Sequence, residues 1–360
     1  RSCSLKRSAA RKATRRKPPV GSESVDCGSA KNSGCWGCTR REARGSLRQL
    51  HPGGSTNLGD GWLTGCECVA KRLAAGKVSR TLLLTDGQAN VGTTDPLALG
   101  QQASDLFERG VPTSTFGIGE GFNEHLLETM SNRGGGNFYY IDNTGNIAAM
   151  LMREFADLAA ITLRSVVIEL TFPLGVTPEL FGDWRTEQSA QKLVVSLPDL
   201  AAGQMVNLYV RTVTPPGSGE LVMNLVIRGV DEDGNAFSFT NNLALRYVSQ
   251  PEADAAVRDA DLSARFATVA AGQMRNQALI LEREGRREEA FQVMDKMMSD
   301  FGPALPAFMR QRHASTHADI RNGFDENRRK IEHSDSYLER KFRHPDQLRP
   351  RPEDEHDDKK

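Results

Sequence analysis

The sequence predicts an α/β fold with a doubly wound, mostly parallel sheet, followed by an antiparallel β-sandwich and a helical hairpin. Three observations support this prediction. Between residues 46 and 160, short apolar runs alternate with amphipathic helical segments, which is the pattern of crossover units in a parallel sheet. Over residues 161–250 apolar residues recur with a period of two, and over 251–302 they recur at helical spacing.

The elements between residues 46 and 160 can be assigned in chain order. Leu58, Leu63 and Leu73 lie at helical spacing, and Gly76 is the expected end of that helix. The run "TLLLT" that follows is short, apolar and bounded by turn residues, as expected of a strand covered on both faces. The predicted helices cover about 57–75, 94–110, 123–133 and 146–161, and the predicted strands cover 78–85, 111–119 and 137–142.

The remaining chain divides by composition and apolar periodicity into four further segments. Residues 161–250 are predicted to form the antiparallel domain, with an Asp-Gly turn at Asp233 and Gly234. Residues 251–302 are predicted to form one helical hairpin, broken at Gly285. Residues 303–360 are rich in Pro, Arg, His and acids and are expected to be a disordered tail, and residues 1–45 are expected to be a low-order segment.

Residues 1–45 differ sharply from the rest in composition. Arg, Lys, Ser, Gly and Cys dominate, and the few apolar residues cannot build a strand or an amphipathic helix. One hypothesis is that this segment is a frame-shifted reading of a gene whose product begins with an ordinary strand. All six cysteines lie in the first fifth of the chain: Cys3, Cys27, Cys35, Cys38, Cys66 and Cys68.

Charge and hydropathy restrict the classes of partner. The 46 basic residues balance the 46 acidic ones, so the overall charge gives no reason to expect nucleic acid or an anionic membrane as a partner. No apolar run of 18 residues occurs, and no apolar stretch follows the basic start. The sequence as written is therefore expected to be cytoplasmic, whereas a missing true N-terminus would leave a secreted or periplasmic location open.

Two oxygen-bearing side chains stand where loops are expected to converge. Thr56 lies in "GGSTNLGDGW" (53–62) just before the first predicted helix, and Asp86 follows the first predicted strand. Ligands of open parallel sheets collect beyond the carboxyl ends of the strands, and hydroxyl and carboxylate oxygens are hard donors that Mg²⁺ or Mn²⁺ accepts. Taken singly, a threonine in this position more often caps a helix, and an Asp-Gly pair more often forms a turn.

Four segments of the chain follow one another in a specific order. "GGSTNLGDG" is followed about thirty residues later by "LLLTDGQANVG", then by "FGIGEGFNEHLLETMS" and "GGNFYYID". Over about residues 47–160 this order resembles the von Willebrand factor type A domain. The predicted sandwich and helix pair behind it are similar to bacterial members of that family that carry a C-terminal β domain.

The resemblance implies a metal-ion-dependent adhesion site. Such a site is formed by an Asp-x-Ser-x-Ser loop, a threonine from a second loop and an aspartate from a third. Thr56 would bind a Mg²⁺ or Mn²⁺ ion directly and Asp86 would bind it through water, while an exposed Asp or Glu of a protein partner would fill the open coordination position. The implied rim of the site consists of Asn57, Gly87, Gly119 and Glu120.

The resemblance also implies a non-enzymatic protein-interaction module. Some relatives act as adhesins and others as cytoplasmic scaffolds for AAA-type ATPases, so an AAA-type ATPase is one expected partner. The chain departs from the family pattern in one respect, since no Asp-x-Ser-x-Ser precedes Thr56. The N-terminal part of the domain is thus expected to be missing or altered, with two of five ligand positions present.

Two alternative functions remain open at the level of sequence. The "CWGC" of Cys35 and Cys38 could be a redox dithiol or half of a zinc site, completed by Cys27, Cys66 and Cys68. A redox motif needs a strand before it and a helix after it, and neither is readable here. The other alternative is a degenerate type A scaffold without a metal, in which the β-sandwich makes the partner contacts.

Overall fold

The computed structural model describes residues 56–74 and 77–341, and its first unit is an α/β layer. Within these residues the parallel strands β1 (Thr81–Thr85), β2 (Thr113–Ile118) and β3 (Gly135–Ile141) pair in the order β1-β2-β3. The helices α1 (Leu58–Ala70), α2 (Pro96–Glu108), α3 (Glu124–Arg133) and α4 (Ile147–Ala159) alternate with them. The predicted α/β fold with a parallel sheet is confirmed.

Local signals in the sequence explain where these helices begin. Asp95 caps α2, since its carboxylate accepts from two backbone N–H groups of the first turn, and Pro96 occupies that turn. Asn123 caps α3 in the same way, accepting from Leu126 N. The helices pack on the sheet through a buried apolar core, in which the indole nitrogen of Trp62 donates to Thr113 Oγ1 at 3.1 Å.

The second unit is antiparallel, as the two-residue periodicity predicts. Its strands are β4 (Ile161–Thr171), β5 (Thr177–Phe181), β6 (Arg185–Gln188), β7 (Lys192–Ser196), β8 (Leu200–Ala201), β9 (Tyr209–Val213), β10 (Glu220–Asp231) and β11 (Ala236–Arg246). Among the described residues, the larger sheet has six strands in the order β11-β10-β4-β7-β6, with β8 beside β4, and a two-stranded ribbon pairs β5 with β9. Leu180 and Val210 of the ribbon pack against the core that Leu193 and Val195 form on the larger sheet, so the second layer of the predicted sandwich is this ribbon.

The third unit is helical and larger than the predicted hairpin. Its helices are α5 (Gln250–Asp254), α6 (Ala260–Arg283), α7 (Arg287–Phe301), α8 (Ala307–Asn322) and α9 (Glu326–Lys341). The predicted hairpin corresponds to α6 and α7, which separate near Gly285 with its φ of +81°. Alanine and methionine side chains fill the core between them, including Ala278, Ala290 and Met294.

The prediction of a disordered tail over 303–360 is wrong for residues 307–341, which form α8 and α9. Most of the buried side chains of α9 are charged or polar, including Lys330, Glu332 and Arg340, so its composition gave no sign of a packed helix. These charges become buried because residues far away in sequence supply opposite charges, as Arg275 does for Glu332 at 3.2 Å. Residues 342–360 of that predicted tail and the predicted low-order segment 1–45 lie outside the described residues.

Helix α9 packs back onto the α/β layer. The backbone N–H of Phe138 in β3 donates to Tyr337 Oη at 3.0 Å, and the hydroxyl of Tyr140 donates to Asn327 Oδ1 at 2.7 Å. Helix α9 therefore forms part of the packing of the first unit. Across 56–74 and 77–341, each helix is too short or too polar to cross a lipid bilayer.

Candidate functional site

The loop before α1 is hydrogen-bonded to the loop after β1, which brings the two predicted metal ligands into neighbouring segments. Asn90 Oδ1 accepts from Thr56 N at 2.6 Å. The N–H groups of Asn90 and Val91 both donate to Thr56 O, at 3.1 Å and 3.3 Å. These three bonds fix the backbone of Thr56 beside the loop that begins with Asp86.

Thr56 does not cap α1. The cap is Asn57, whose Oδ1 accepts from Asp60 N at 3.2 Å and whose amide nitrogen donates to Asp60 Oδ2 at 2.6 Å. The hydroxyl of Thr56 has no hydrogen-bond partner among residues 56–74 and 77–341. It faces Gly87, because a Cβ built on Gly87 would lie 3.9 Å from Thr56 Oγ1.

Asp86 lies in a tight turn at the carboxyl end of β1. Thr85 Oγ1 donates to Gly87 O at 2.9 Å and accepts from Gly87 N at 3.3 Å, which shapes the turn. The side chain of Asp86 is exposed, and no described residue forms an ion pair or hydrogen bond with its carboxylate. The Asp-Gly pair is therefore a turn, and it also presents a carboxylate to solvent.

The loop after β2 packs directly on Asp86. A Cβ at Gly121 would lie 2.3 Å from Asp86 O, so only glycine permits this approach. Gly119 has a φ of +67° and its N–H donates to Ile141 O at 2.9 Å, while Glu120 is exposed. The predicted rim residues Gly119 and Glu120 thus belong to a loop in contact with a predicted ligand.

The donor atoms of Thr56 and Asp86 suit a hard divalent cation in kind. A threonine hydroxyl and an aspartate carboxylate in adjoining loops are the oxygen donors that Mg²⁺ or Mn²⁺ accepts. Within the described part of the chain, no group of three or more His, Cys, Asp or Glu residues is placed to hold a metal ion. Thr56 and Asp86 would supply two of the oxygen ligands of such a cation.

The cysteines that fall in the described part of the chain lie on α1. Cys66 is buried, and this burial raises the pKa of its thiol although hydrogen bonds with Thr81 and Thr113 oppose the change. A buried thiol with a raised pKa is a poor nucleophile and a poor metal ligand. Cys27, Cys35 and Cys38 lie outside the described residues, so the redox and zinc alternative remains a prediction.

Charged residues buried beside the site were missed by sequence reasoning. Lys330 of α9 donates through Nζ to Phe122 O at 2.7 Å and lies 3.2 Å from Glu124 Oε2. Burial alone would raise the pKa of Glu124, but the electrostatic influence of His333, followed by that of Arg283 and Lys330, lowers it to about 2. The chain offered no local signal for this cluster, because its members lie on α3, α6 and α9.

The comparisons with known proteins agree with the fold. Residues 37–153 match the family model described as the von Willebrand factor type A domain. The Escherichia coli (strain K12) protein named "Uncharacterized protein YfbK" is 32% identical over 143 residues, which is 39% of this chain and 25% of that protein. Inter-alpha-trypsin inhibitor heavy chain H3 of Mesocricetus auratus is 30% identical over 135 residues, 36% of this chain and 15% of that protein.

A solved structure of a von Willebrand factor type A protein has a similar fold over most of the chain. The von Willebrand factor type A protein from Catenulispora acidiphila aligns with a TM-score of 0.58 at 14% identity, over 84% of this chain and 74% of that one. At this identity the likeness shows the fold alone. The chain spans a quarter or less of the length of these two curated relatives, and neither relative supports the predicted AAA-type ATPase partner.

Proposed function

Because the chain contains a von Willebrand factor type A domain, we propose that it is a non-enzymatic protein-interaction module that binds its partner at the carboxyl edge of the parallel sheet. Domains of this type are in general interaction modules. The observation that carries the proposal is the Thr56 hydroxyl, which lacks a hydrogen-bond partner among the described residues and faces the turn that bears Asp86.

A divalent cation would assist this binding. Thr56 and Asp86 would hold a Mg²⁺ or Mn²⁺ ion, and the ion would supply a positive charge for an Asp or Glu of the partner. Glu120 and Gly119, on the loop that packs against Asp86, would form the rim together with Gly87 and Asn57. Since the side chain of Asn57 already caps α1, it would shape the rim by fixing the start of the helix.

A second candidate is partner binding through the antiparallel domain without a metal. Strand β11 is the last strand of its sheet among the described residues, and it pairs with β10 alone. Phe239, Leu243 and Leu245 on one of its faces are 53%, 39% and 44% exposed. An edge strand that exposes an apolar row is a common place for another chain to pair.

Affinity capture from the source cells distinguishes the two candidates. Wild-type protein and the variants Asp86→Ala and Phe239→Ser would be used as bait, in Mg²⁺ and in EDTA. The proposal predicts a partner that EDTA releases and that Asp86→Ala fails to capture, with Phe239→Ser unaffected. A partner that is retained in EDTA and by Asp86→Ala, but lost with Phe239→Ser, would instead support the antiparallel domain.

A further inference from the structure

Lys330 connects helix α9 to the loop beside the proposed site. Its side chain is fully buried, and the residue as a whole, including its backbone, is 1% exposed. The ammonium group donates to Phe122 O at 2.7 Å, and Nζ lies 4.0 Å from the centre of the Phe122 ring. Phe122 directly follows the loop 119–121, so a residue 208 positions away holds the end of that loop.

The same loop transmits this contact to the proposed ligands. Gly121 packs on the carbonyl of Asp86 so closely that a Cβ there would lie 2.3 Å from the oxygen. The next residue, Gly87, is the one that the Thr56 hydroxyl faces. A continuous series of contacts thus runs from Lys330 through Phe122 and the loop to the turn that carries Asp86.

Because Lys330 is buried, its ammonium group needs hydrogen-bond acceptors from the protein. A buried ammonium is tolerated only when its donors are satisfied, because it has lost its hydration. Its partners are Phe122 O, Glu124 Oε2 at 3.2 Å and Glu326 Oε1 at 3.6 Å. Two of these lie at the junction between the loop and α3, so moving the loop away would leave a buried charge without its closest acceptor.

We infer that Lys330 is a positioning residue of the proposed site, which holds the loop 119–121 against Asp86 through Phe122 and makes the shape of the site depend on the docking of α9. This inference takes one point from the proposed function, namely that the site binds a divalent cation. It adds a regulatory element outside the α/β layer, since a change in the packing of α9 would alter the loop beside Asp86.

The test compares two buried side chains of the same helix in the full-length chain. Lys330→Met removes the ammonium and keeps most of the apolar stem. Tyr337→Phe is the matched control, because it removes the hydroxyl that accepts from Phe138 N on β3 and leaves the loop contact intact. Amide hydrogen exchange is measured by mass spectrometry on peptides that cover 119–123, and Mn²⁺ affinity is measured by titration under electron paramagnetic resonance.

Lys330→Met is expected to accelerate exchange in the loop roughly tenfold to a hundredfold, as the loss of a charge-assisted hydrogen bond predicts, and to weaken Mn²⁺ binding. Tyr337→Phe should change neither quantity, even where it lowers the melting temperature. Loop exchange that stays at the wild-type rate in Lys330→Met, or rises equally in both variants, would overturn the inference. Faster loop exchange with an unchanged Mn²⁺ affinity would likewise overturn it, because the loop would then not shape the site.

A second variant covers the case in which Lys330→Met does not fold. The amide of Lys330→Gln ends one bond short of the ammonium position, so the same acceleration is expected in milder form. If the wild-type chain binds no Mn²⁺, the metal proposal fails, and the exchange comparison alone still decides whether Lys330 positions the loop.

Discussion

Glu154 offers the sharpest test of how the α/β layer is held together. Its carboxylate is fully buried on α4. It accepts hydrogen bonds from four side chains: Arg80 Nη1 at 2.9 Å, Ser114 Oγ at 2.5 Å, Asn137 Nδ2 at 3.0 Å and Tyr139 Oη at 2.7 Å. Burial alone would raise the pKa of Glu154, but the charge of Arg80 and these hydrogen bonds together lower it.

Substituting Glu154→Ala would leave the guanidinium of Arg80 buried, with Asp199 at 3.8 Å as its other acid. Removing one partner of a buried ion pair lowers the free energy of unfolding by about 3–5 kcal/mol. Because Asp199 remains near Arg80, we expect a loss near the lower end of this range. Urea unfolding followed by circular dichroism measures the loss, and removal of both charges in Arg80→Met with Glu154→Leu should recover part of it. Glu67→Ala serves as an exposed control on α1, where little change is expected.

A decrease of less than about 1 kcal/mol in the free energy of unfolding of Glu154→Ala, at an unchanged denaturant slope, would contradict this role of Glu154. Such a result would mean that the four hydrogen bonds to the carboxylate are replaced by water without penalty.

The remaining predictions concern pH and the glycine contacts. Burial lowers the pKa of His313 well below its usual value. Below about pH 6.5 the unfolded chain therefore binds a proton at His313 that the folded chain excludes. The free energy of unfolding should decrease from pH 6.5 to 5, and this decrease should be smaller in His313→Leu. The pKa of Glu124 is lowered to about 2, and the pKa of Glu154 is also lowered. The contribution of these two carboxylates to stability is therefore fully present above about pH 4.5 and is lost as the pH falls towards 2. A melting temperature unchanged between pH 5 and 3 would contradict this. Gly121→Ala should destabilise the chain by about 1–3 kcal/mol through its clash with the β1 turn, whereas Gly61→Ala on the open face of α1 should be neutral or stabilising in the same urea assay.

Local patterns predicted those parts of the fold whose causes are local. The helices α2 and α3 begin where Asp95 and Asn123 cap them, and α6 and α7 are separated near Gly285, as the periodicity and the turn residues indicate. The order of loop, strand and helix also placed Thr56 and Asp86 in neighbouring segments. These features depend on residues within one or two turns of each other, so a single sequence can reveal them.

The helices α8 and α9 could not be predicted in this way. Lys330 can be buried because Glu124, 206 positions away in the sequence, lies beside its charge. From residue type alone, both Lys330 and Glu124 would be expected on the surface. The cap of α1 is a different case, since Asn57 contacts Asp60 three residues away and the sequence had placed Asn57 on the rim alone. The partner of a polar side chain is set by the tertiary fold, which the local sequence does not record.

Mn²⁺ titration of the full-length chain under electron paramagnetic resonance measures whether Thr56 and Asp86 together hold a divalent cation. We expect saturable binding at one site in the wild type, strongly weakened in both Thr56→Val and Asp86→Ala. We expect no change in Asp105→Ala, which removes an exposed carboxylate from α2. Wild-type protein that binds no Mn²⁺, or an affinity that survives both substitutions, would show that these two residues do not form a cation site.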